Sequence, residues 1–302
     1  MTVYGMRIVL GAHLPPIRVF CLTALLLPCF AGAAALAAEP AGPTAPQTGP
    51  QLLTAPPRSA APRPADADAA TYERCMKLAR ENPGAAKELA EGWRARGGAH
   101  PAEHCHAVAL LGLQQYKPAA TRLEKLAAAM VSAPVPLRAG VLAQAAQAWL
   151  LAGDPGRAYA DAGAALTLRP DDPDLLLDRA EAAGAAGWFD KAVADLDRVL
   201  KQEPSRVDAL VYRASAYREL DRLDPALADV EQALKLAPNS VPALLERGNI
   251  RRLKGDRDGA RQDWLRVAAL APGSAAETAA RANLGHLDEP LITAPPAKPA
   301  PR

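Results

Sequence analysis

The residues best suited to chemistry lie in one short segment, His-Pro-Ala-Glu-His-Cys-His at 100–106. Histidine and cysteine ligate transition metals, and His100 and His104 stand four residues apart, a spacing that places side chains on one helical face. Pro101 favours the first turn of a helix, which leaves His100 at its edge. The rest of the sequence supplies no second cluster of ligands. We therefore predict ordinary helix-start histidines, no metal site and no other cofactor.

Motifs of the common catalytic sites do not occur in the sequence. It has no glycine-rich phosphate loop, no His-Glu-x-x-His zinc motif and no Gly-x-Ser-x-Gly nucleophile turn. Acidic pairs such as Asp171–Asp172 stand at expected helix starts, where negative charge favours the helix dipole and caps free amides. The sequence predicts a non-enzymatic protein without catalytic residues.

Composition favours packed helices over sheets. Half of the 302 residues are hydrophobic but only 4% are aromatic, so alanine and leucine supply most of the apolar surface. Sheet proteins use more β-branched and aromatic residues than this. The net charge of +2 comes from Arg7 and Arg18 near the N-terminus, and the rest of the chain is neutral. Such a chain lacks the positive field of non-specific nucleic-acid binding, and we expect no nucleic-acid partner.

The N-terminal segment has the composition of a secretory signal peptide. Residues 1–37 contain two arginines, an apolar run at 19–30 and a small-residue stretch with a cleavage site after Ala37. The alternative is an uncleaved membrane anchor, for which the apolar run is short and is interrupted by Pro28 and Gly32.

Two further segments are rich in proline and alanine. They cover residues 38–66, after the signal, and residues 288–302, at the C-terminus. Such segments bury too little apolar surface to offset the entropy of ordering. We predict a disordered linker and a disordered tail.

Prolines and small residues recur through the body of the chain with a fixed period of about 34 residues, which is typical of a solenoid of helix–turn–helix units. Proline ends the second helix of such a unit, and small residues occur where two helices cross closely. The columns are Pro170, Pro204, Pro238 and Pro272; Ala158, Ala192, Ala226 and Ala260; and Ala146, Ala180, Ala214, Gly248 and Ala282.

The columns resemble those of the tetratricopeptide repeat (TPR) family. Counting repeats from Ala139, Pro173, Val207 and Val241 puts small residues at places eight, twenty and twenty-seven and proline at thirty-two, as in that family. The family's early tryptophan is leucine here, and its turn aromatic survives only as Phe189. The resemblance implies an all-α, right-handed α-solenoid over 67–287. Its expected parts are degenerate units at 67–138, regular repeats at 139–172, 173–206, 207–240 and 241–274, and a capping helix at 275–287.

The resemblance also implies a binding groove on the concave face. Places two, five, six, nine and twelve of each repeat face this groove in the family. Transferred to this sequence, the peptide-binding residues are Asp174, Asp178, Glu181, Tyr212, Ser215, Arg218, Glu246, Asn249 and Arg252. Arg218 and Arg252 are its expected basic contacts. The lysines with which some members clamp a C-terminal carboxylate are absent, because Val211 and Leu245 occupy their places.

These features together predict a protein–protein interaction scaffold or adaptor. Its partner is an unidentified protein or peptide that binds in the concave groove, and the signal-like segment together with the resemblance implies the bacterial periplasm. The alternative is a membrane-anchored accessory factor in cell-envelope assembly, facing the periplasm.

Two cysteines, Cys75 and Cys105, remain after removal of a signal that contains Cys21 and Cys29. In a TPR architecture both fall on first helices of adjacent units, which stack side by side. Exported proteins usually pair their cysteines, so we predict a Cys75–Cys105 disulfide. In the chain-entropy model its loop of about 30 residues corresponds to about 3–4 kcal/mol. The alternative of a redox-active pair lacks the usual Cys-x-x-Cys spacing.

Two charged columns follow the same period. Each arginine stands roughly half a repeat after an aspartate, and the columns are Asp161, Asp195, Asp229 and Asp263, and Arg179, Arg213, Arg247 and Arg281. We predict that each aspartate forms a salt bridge with the arginine of the following repeat and thereby locks the register between units. The alternative is that both columns form solvated helix faces. An exposed pair of this kind contributes only about 0–1 kcal/mol.

Overall fold

A computed structural model of the chain describes residues 64–287, which form 13 α-helices and no β-strand. The predicted signal, the tail and the linker up to residue 63 lie outside the described residues. The helices are α1 (Pro64–Glu81), α2 (Pro83–Ala95), α3 (Ala99–Gly112), α4 (Tyr116–Ala129), α5 (Val135–Leu151), α6 (Pro155–Leu168), α7 (Pro173–Ala185), α8 (Phe189–Gln202), α9 (Val207–Glu219), α10 (Leu223–Leu236), α11 (Val241–Leu253), α12 (Arg257–Leu270) and α13 (Ala275–Gly285).

The helices form antiparallel hairpins because short turns of defined chemistry separate them. Gly153, Gly187 and Gly255 end first helices with positive φ values of 76°, 77° and 86°. Asp221 holds the same repeat place with φ 57°, a conformation that aspartate tolerates better than most residues. The side chain of Asp154 then caps α6 by accepting a hydrogen bond from the backbone N–H of Arg157 at 3.1 Å.

The hairpins stack into an all-α solenoid, as predicted. First helices of successive repeats (α5, α7, α9, α11 and the cap α13) contact one another, whereas second helices of successive repeats make few contacts or none. Closer spacing on one side bends the stack toward that side. The first helices therefore line the concave face, and the second helices form the convex face.

Close helix crossing explains the small-residue columns. Ala180 and Ala214 are almost fully buried, and at the same place in the next repeat Gly248 lies against Trp264. A Cβ atom added to Gly248 would lie 2.4 Å from the indole Nε1 of Trp264. The tryptophan fills the volume that the missing side chain leaves, so glycine is required at this crossing.

The N-terminal units have a smaller core, built mainly from alanines and two cysteines. Cys75 on α1 and Cys105 on α3 are fully buried, and the structure joins their Sγ atoms at 1.97 Å. The linkage ties together two helices that also pack against each other. Oxidation of this pair in the cell remains a prediction.

Candidate functional site

The predicted groove residues all lie on three neighbouring first helices of the concave face. The structure places them as three triads: Asp174, Asp178 and Glu181 on α7, Tyr212, Ser215 and Arg218 on α9, and Glu246, Asn249 and Arg252 on α11. Their burial and hydrogen bonds divide them into an internally bonded centre, an acidic end and a basic end.

The centre of the groove is an ion-paired cluster that ties α9 to α11. Arg218 donates from Nε to Glu246 Oε1 at 2.6 Å and from Nη1 to Glu219 Oε1 at 2.7 Å. Glu246 is only 1% exposed, and Ser215, which accepts a hydrogen bond from Arg218 Nη2 at 3.5 Å, is also buried. Burial by itself would lower the pKa of Arg218, but Glu246 and Glu219 outweigh burial and raise it. Because these side chains bond to one another, Arg218 is not among the ligand contacts that we propose.

The α7 end of the groove is acidic. Asp178 accepts a hydrogen bond from Gln147 Nε2 of the preceding repeat at 3.1 Å. Burial first, and then the charge of Asp178, raise the pKa of the Glu181 carboxyl to about 7, against a smaller opposing effect of the Gln147 hydrogen bond. Asp174 is paired with Arg206, whose Nη2 lies 2.6 Å from Oδ1. This end repels further negative charge.

The α11 end of the groove is basic. Arg252 is partly buried, and within residues 64–287 its guanidinium has neither a hydrogen-bond partner nor an ion pair. Burial and then the nearby charge of Arg218 lower the pKa of Arg252. Asn249 lies one turn away and accepts a hydrogen bond from Asn283 Nδ2 of the cap at 2.9 Å. A positive charge beside neutral amides can accept an anionic group from a ligand.

The histidines of 100–106 do not come together. His100 is exposed in the first turn of α3, but His104 and His106 are buried, contrary to the expectation of ordinary helix-start residues. His104 lies between Tyr72 Oη at 2.8 Å and Gln144 Oε1 at 2.7 Å, and burial lowers its pKa. Within the described part of the chain, no three or more metal-binding side chains converge.

The two charged columns do pair, but within repeats and not between them. Each arginine on a first helix donates two hydrogen bonds to the aspartate that follows it on the second helix of the same repeat. The pairs are Arg179–Asp195 at 2.7 and 2.6 Å, Arg213–Asp229 at 2.7 and 2.8 Å, and Arg247–Asp263 at 2.8 and 2.6 Å. The prediction that each aspartate bonds the arginine of the following repeat is wrong.

The two unmatched ends of the columns follow from this pairing. The repeat of Asp161 has alanine at residue 145, the place that Arg179 holds in the next repeat, and the Oδ2 atom of Asp161 is buried without a hydrogen-bond partner among the described residues. Arg281 of the cap bonds instead to Glu277, with Nε 2.8 Å from Oε1. The predicted Asp161–Arg179 and Asp263–Arg281 salt bridges are therefore replaced by other arrangements.

One further set of hydrogen bonds between repeats comes from a column that the sequence analysis missed. Arg198 Nη2 lies 2.7 Å from the Pro170 carbonyl oxygen, and Gln232 Nε2 lies 3.1 Å from that of Pro204. Each donor reaches from the middle of a second helix to the end of the preceding repeat. The signal was a polar donor that recurs at one place of successive repeats.

Comparisons with known proteins agree with this architecture. A sequence model of the tetratricopeptide repeat matches residues 177–241 and 219–275. The fold is similar to that of a thermophilic TPR protein from Thermus thermophilus, with 19% identity over 63% of this chain and 98% of that chain and a TM-score of 0.50.

Two further solved structures are similar at slightly lower scores. A tetratricopeptide repeat protein from Parabacteroides merdae ATCC 43184 shares 20% identity over 72% of this chain and 73% of its own, with a TM-score of 0.49. YrrB, described as a TPR protein with an unusual peptide-binding site, shares 17% identity over 60% and 97%, with a TM-score of 0.47. A comparison with curated proteins gave no match. Among the helices of 64–287, none combines the length and apolar character needed to cross a membrane.

Proposed function

The chain belongs, over residues 177–275, to the tetratricopeptide repeat family, and on that premise we propose that it is a non-enzymatic scaffold that binds a peptide or protein segment. The binding surface is the concave face of α7, α9 and α11.

One observation carries this proposal: polar and aromatic side chains that the fold leaves partly exposed run along the concave face of three successive repeats. They include Asp178 on α7, Tyr212 on α9, and Asn249 and Arg252 on α11. Tyrosine and arginine are the residue types that most often dominate binding energy at protein interfaces. A surface spread over three helices suits an extended segment better than a small molecule.

Export to the periplasm is part of the proposal. It is supported by the signal-like composition of residues 1–37 and by the close pairing of Cys75 with Cys105, since disulfides persist in oxidising compartments. If residues 1–37 are retained, the protein is instead a membrane-anchored accessory factor in cell-envelope assembly. N-terminal sequencing of the protein purified from the producing cell separates the two forms.

The test is quantitative recovery of crosslinked partners from producing cells. The groove variant is Tyr212→Ala/Arg252→Gln, and the matched convex variant is Leu265→Ala/Arg257→Gln, which changes one apolar side chain and one arginine on α12. We expect the groove variant to lose a partner that wild type and the convex variant both retain. Equal loss in both variants, or loss in the convex variant alone, would contradict the proposed site. Circular dichroism must show that both variants fold.

A further inference from the structure

We propose that Arg252 binds an acidic side chain of the ligand, so that the partner is an extended segment with aspartate or glutamate seated at α11. This inference rests on the proposed function and specifies the chemistry of its partner. Arg252 differs from two other arginines, which lie at the two ends of α9. Arg206 and Arg218 each contact at least two carboxylates, whereas Arg252 contacts none among residues 64–287.

An uncompensated, partly buried guanidinium is unfavourable for the free protein. Burial weakens its hydration, and the neighbouring Arg218 carries the same charge. Glu246 cannot neutralise Arg252 instead of Arg218, because it is buried against Arg218 at 2.6 Å and the move would break that ion pair. A carboxylate supplied by a ligand would meet both the charge and the planar, two-donor geometry of Arg252.

The groove also fixes which end of the ligand is acidic. Asp178 and Glu181 on α7 lie two repeats from Arg252, and the charge of Asp178, with the ionised fraction of Glu181, repels a second carboxylate. Neighbouring packed helices are about 10 Å apart, so α7 and α11 are separated by roughly 20 Å. An extended chain covers that span in about six residues. The inferred ligand has an acidic residue at one end and a neutral or basic residue at the other end of this span.

The experiment starts from a random 12-residue peptide library selected on the full chain. Aspartate and glutamate should be enriched in the recovered peptides. For the tightest peptide, Arg252→Gln should weaken the Kd at least tenfold, whereas Arg257→Gln, which removes an exposed arginine on α12, should leave it unchanged. A peptide with its acidic residue replaced by the amide should bind wild type and Arg252→Gln equally well. Arg252→Gln should fold normally, because no internal bond is lost.

Hydrogen exchange locates the peptide independently of any substitution. Slower amide exchange in α9 and α11, without acidic enrichment and without an effect of Arg252→Gln, would overturn the acidic-ligand inference and leave the groove function intact. Slower exchange on α10 and α12 alone, or no selectable peptide, would overturn both. The full chain with Asp288→Asn/Glu289→Gln is a further test, because Asp288 and Glu289 could occupy Arg252 in place of the peptide. If this variant binds the selected peptide more tightly than wild type does, Arg252 pairs with the chain's own C-terminal segment and the inference is overturned.

Discussion

Arg213 on α9 donates two hydrogen bonds to Asp229 on α10, at 2.7 Å from Nε and 2.8 Å from Nη2, within a single repeat. Asp229 is 7% exposed, so its carboxylate depends on this one guanidinium. The same arrangement, a clasp of one arginine and one aspartate joined by two hydrogen bonds, connects the first and second helices of each of the three repeats from Pro173 to Ser274. These three pairs thus stabilise the hairpin within each repeat.

Removing one partner of a clasp should be costly. Arg213→Met leaves the buried Asp229 carboxylate unpaired, and the free energy of unfolding should fall by about 3–5 kcal/mol. Adding Asp229→Asn should recover a large part of that loss. Urea denaturation measures both, with the exposed Arg222→Met as control. A loss below about 1 kcal/mol would place the pair among ordinary surface bridges.

Asp161 has no arginine clasp, and we expect it to give the free energy of unfolding an unusual pH dependence. Burial, and then the charge of Glu124, raise the pKa of Asp161 to about 7. An unfolded aspartate loses its proton near pH 4, so between about pH 4 and 7 the folded state binds more protons and stability falls as pH rises. Asp161→Asn should remove this component and stabilise the protein at pH 8 by roughly 1 kcal/mol, after allowing for partial exposure. Parallel curves of unfolding free energy against pH for wild type and Asp161→Asn would contradict this. Glu181→Gln is a second test, and it should change the pH dependence of stability in the same direction.

The N-terminal units should depend on the Cys75–Cys105 disulfide. Half of the buried residues in their core are alanines, which bury little apolar area each. Reduction, or Cys75→Ala/Cys105→Ala, should destabilise these units by about 3–4 kcal/mol and leave the repeats from Pro173 onward largely unaffected. Peptide mapping under non-reducing conditions should recover one crosslinked pair. Free thiols in the protein from its native compartment would refute the disulfide.

Gly248 and Gly140 offer a matched pair of helix glycines. A Cβ atom at Gly248 would meet the buried Trp264 ring at 2.4 Å, whereas one at Gly140 would meet nothing within 4 Å. Gly248→Ala should therefore destabilise by about 1–3 kcal/mol through overpacking. Gly140→Ala should stabilise by about 0.5–1 kcal/mol through helix propensity. Thermal unfolding that shows the same sign for both substitutions would contradict the packing argument.

The architecture could be predicted from the sequence because the residues that begin and end helices recur at a fixed interval. Pro173, Val207 and Val241 begin first helices, and the glycine or aspartate turns recur at the same interval. The ion-pair partners could not be predicted in this way. Asp195, Asp229 and Asp263 each have one arginine of the column before them and one after them, at nearly equal spacings. Only the antiparallel hairpin brings each aspartate to the earlier arginine. The one local indication of pairing within a repeat was Asp161, whose repeat has alanine at residue 145 where the other repeats have arginine.

The role of Arg218 was also beyond the sequence. Its place in the repeat predicts a groove-facing side chain, and it does lie on that face. The charge of Arg218 is neutralised by Glu246 on the first helix of the next repeat. The repeat pattern does not reveal which charged side chains of neighbouring repeats come into contact. Arg252 holds the same repeat place but has no such neighbour in the described part of the chain, and the difference appears only in three dimensions.

Site-specific photocrosslinking in the producing cell tests the central claim most directly. A p-benzoylphenylalanine at Tyr212, on the concave face, is compared with one at Leu265, which is 54% exposed on convex helix α12. We predict a discrete protein adduct from position 212 that is absent from position 265 and decreases when Arg252→Gln is added. An adduct from position 265 with none from position 212 would contradict the concave-groove function.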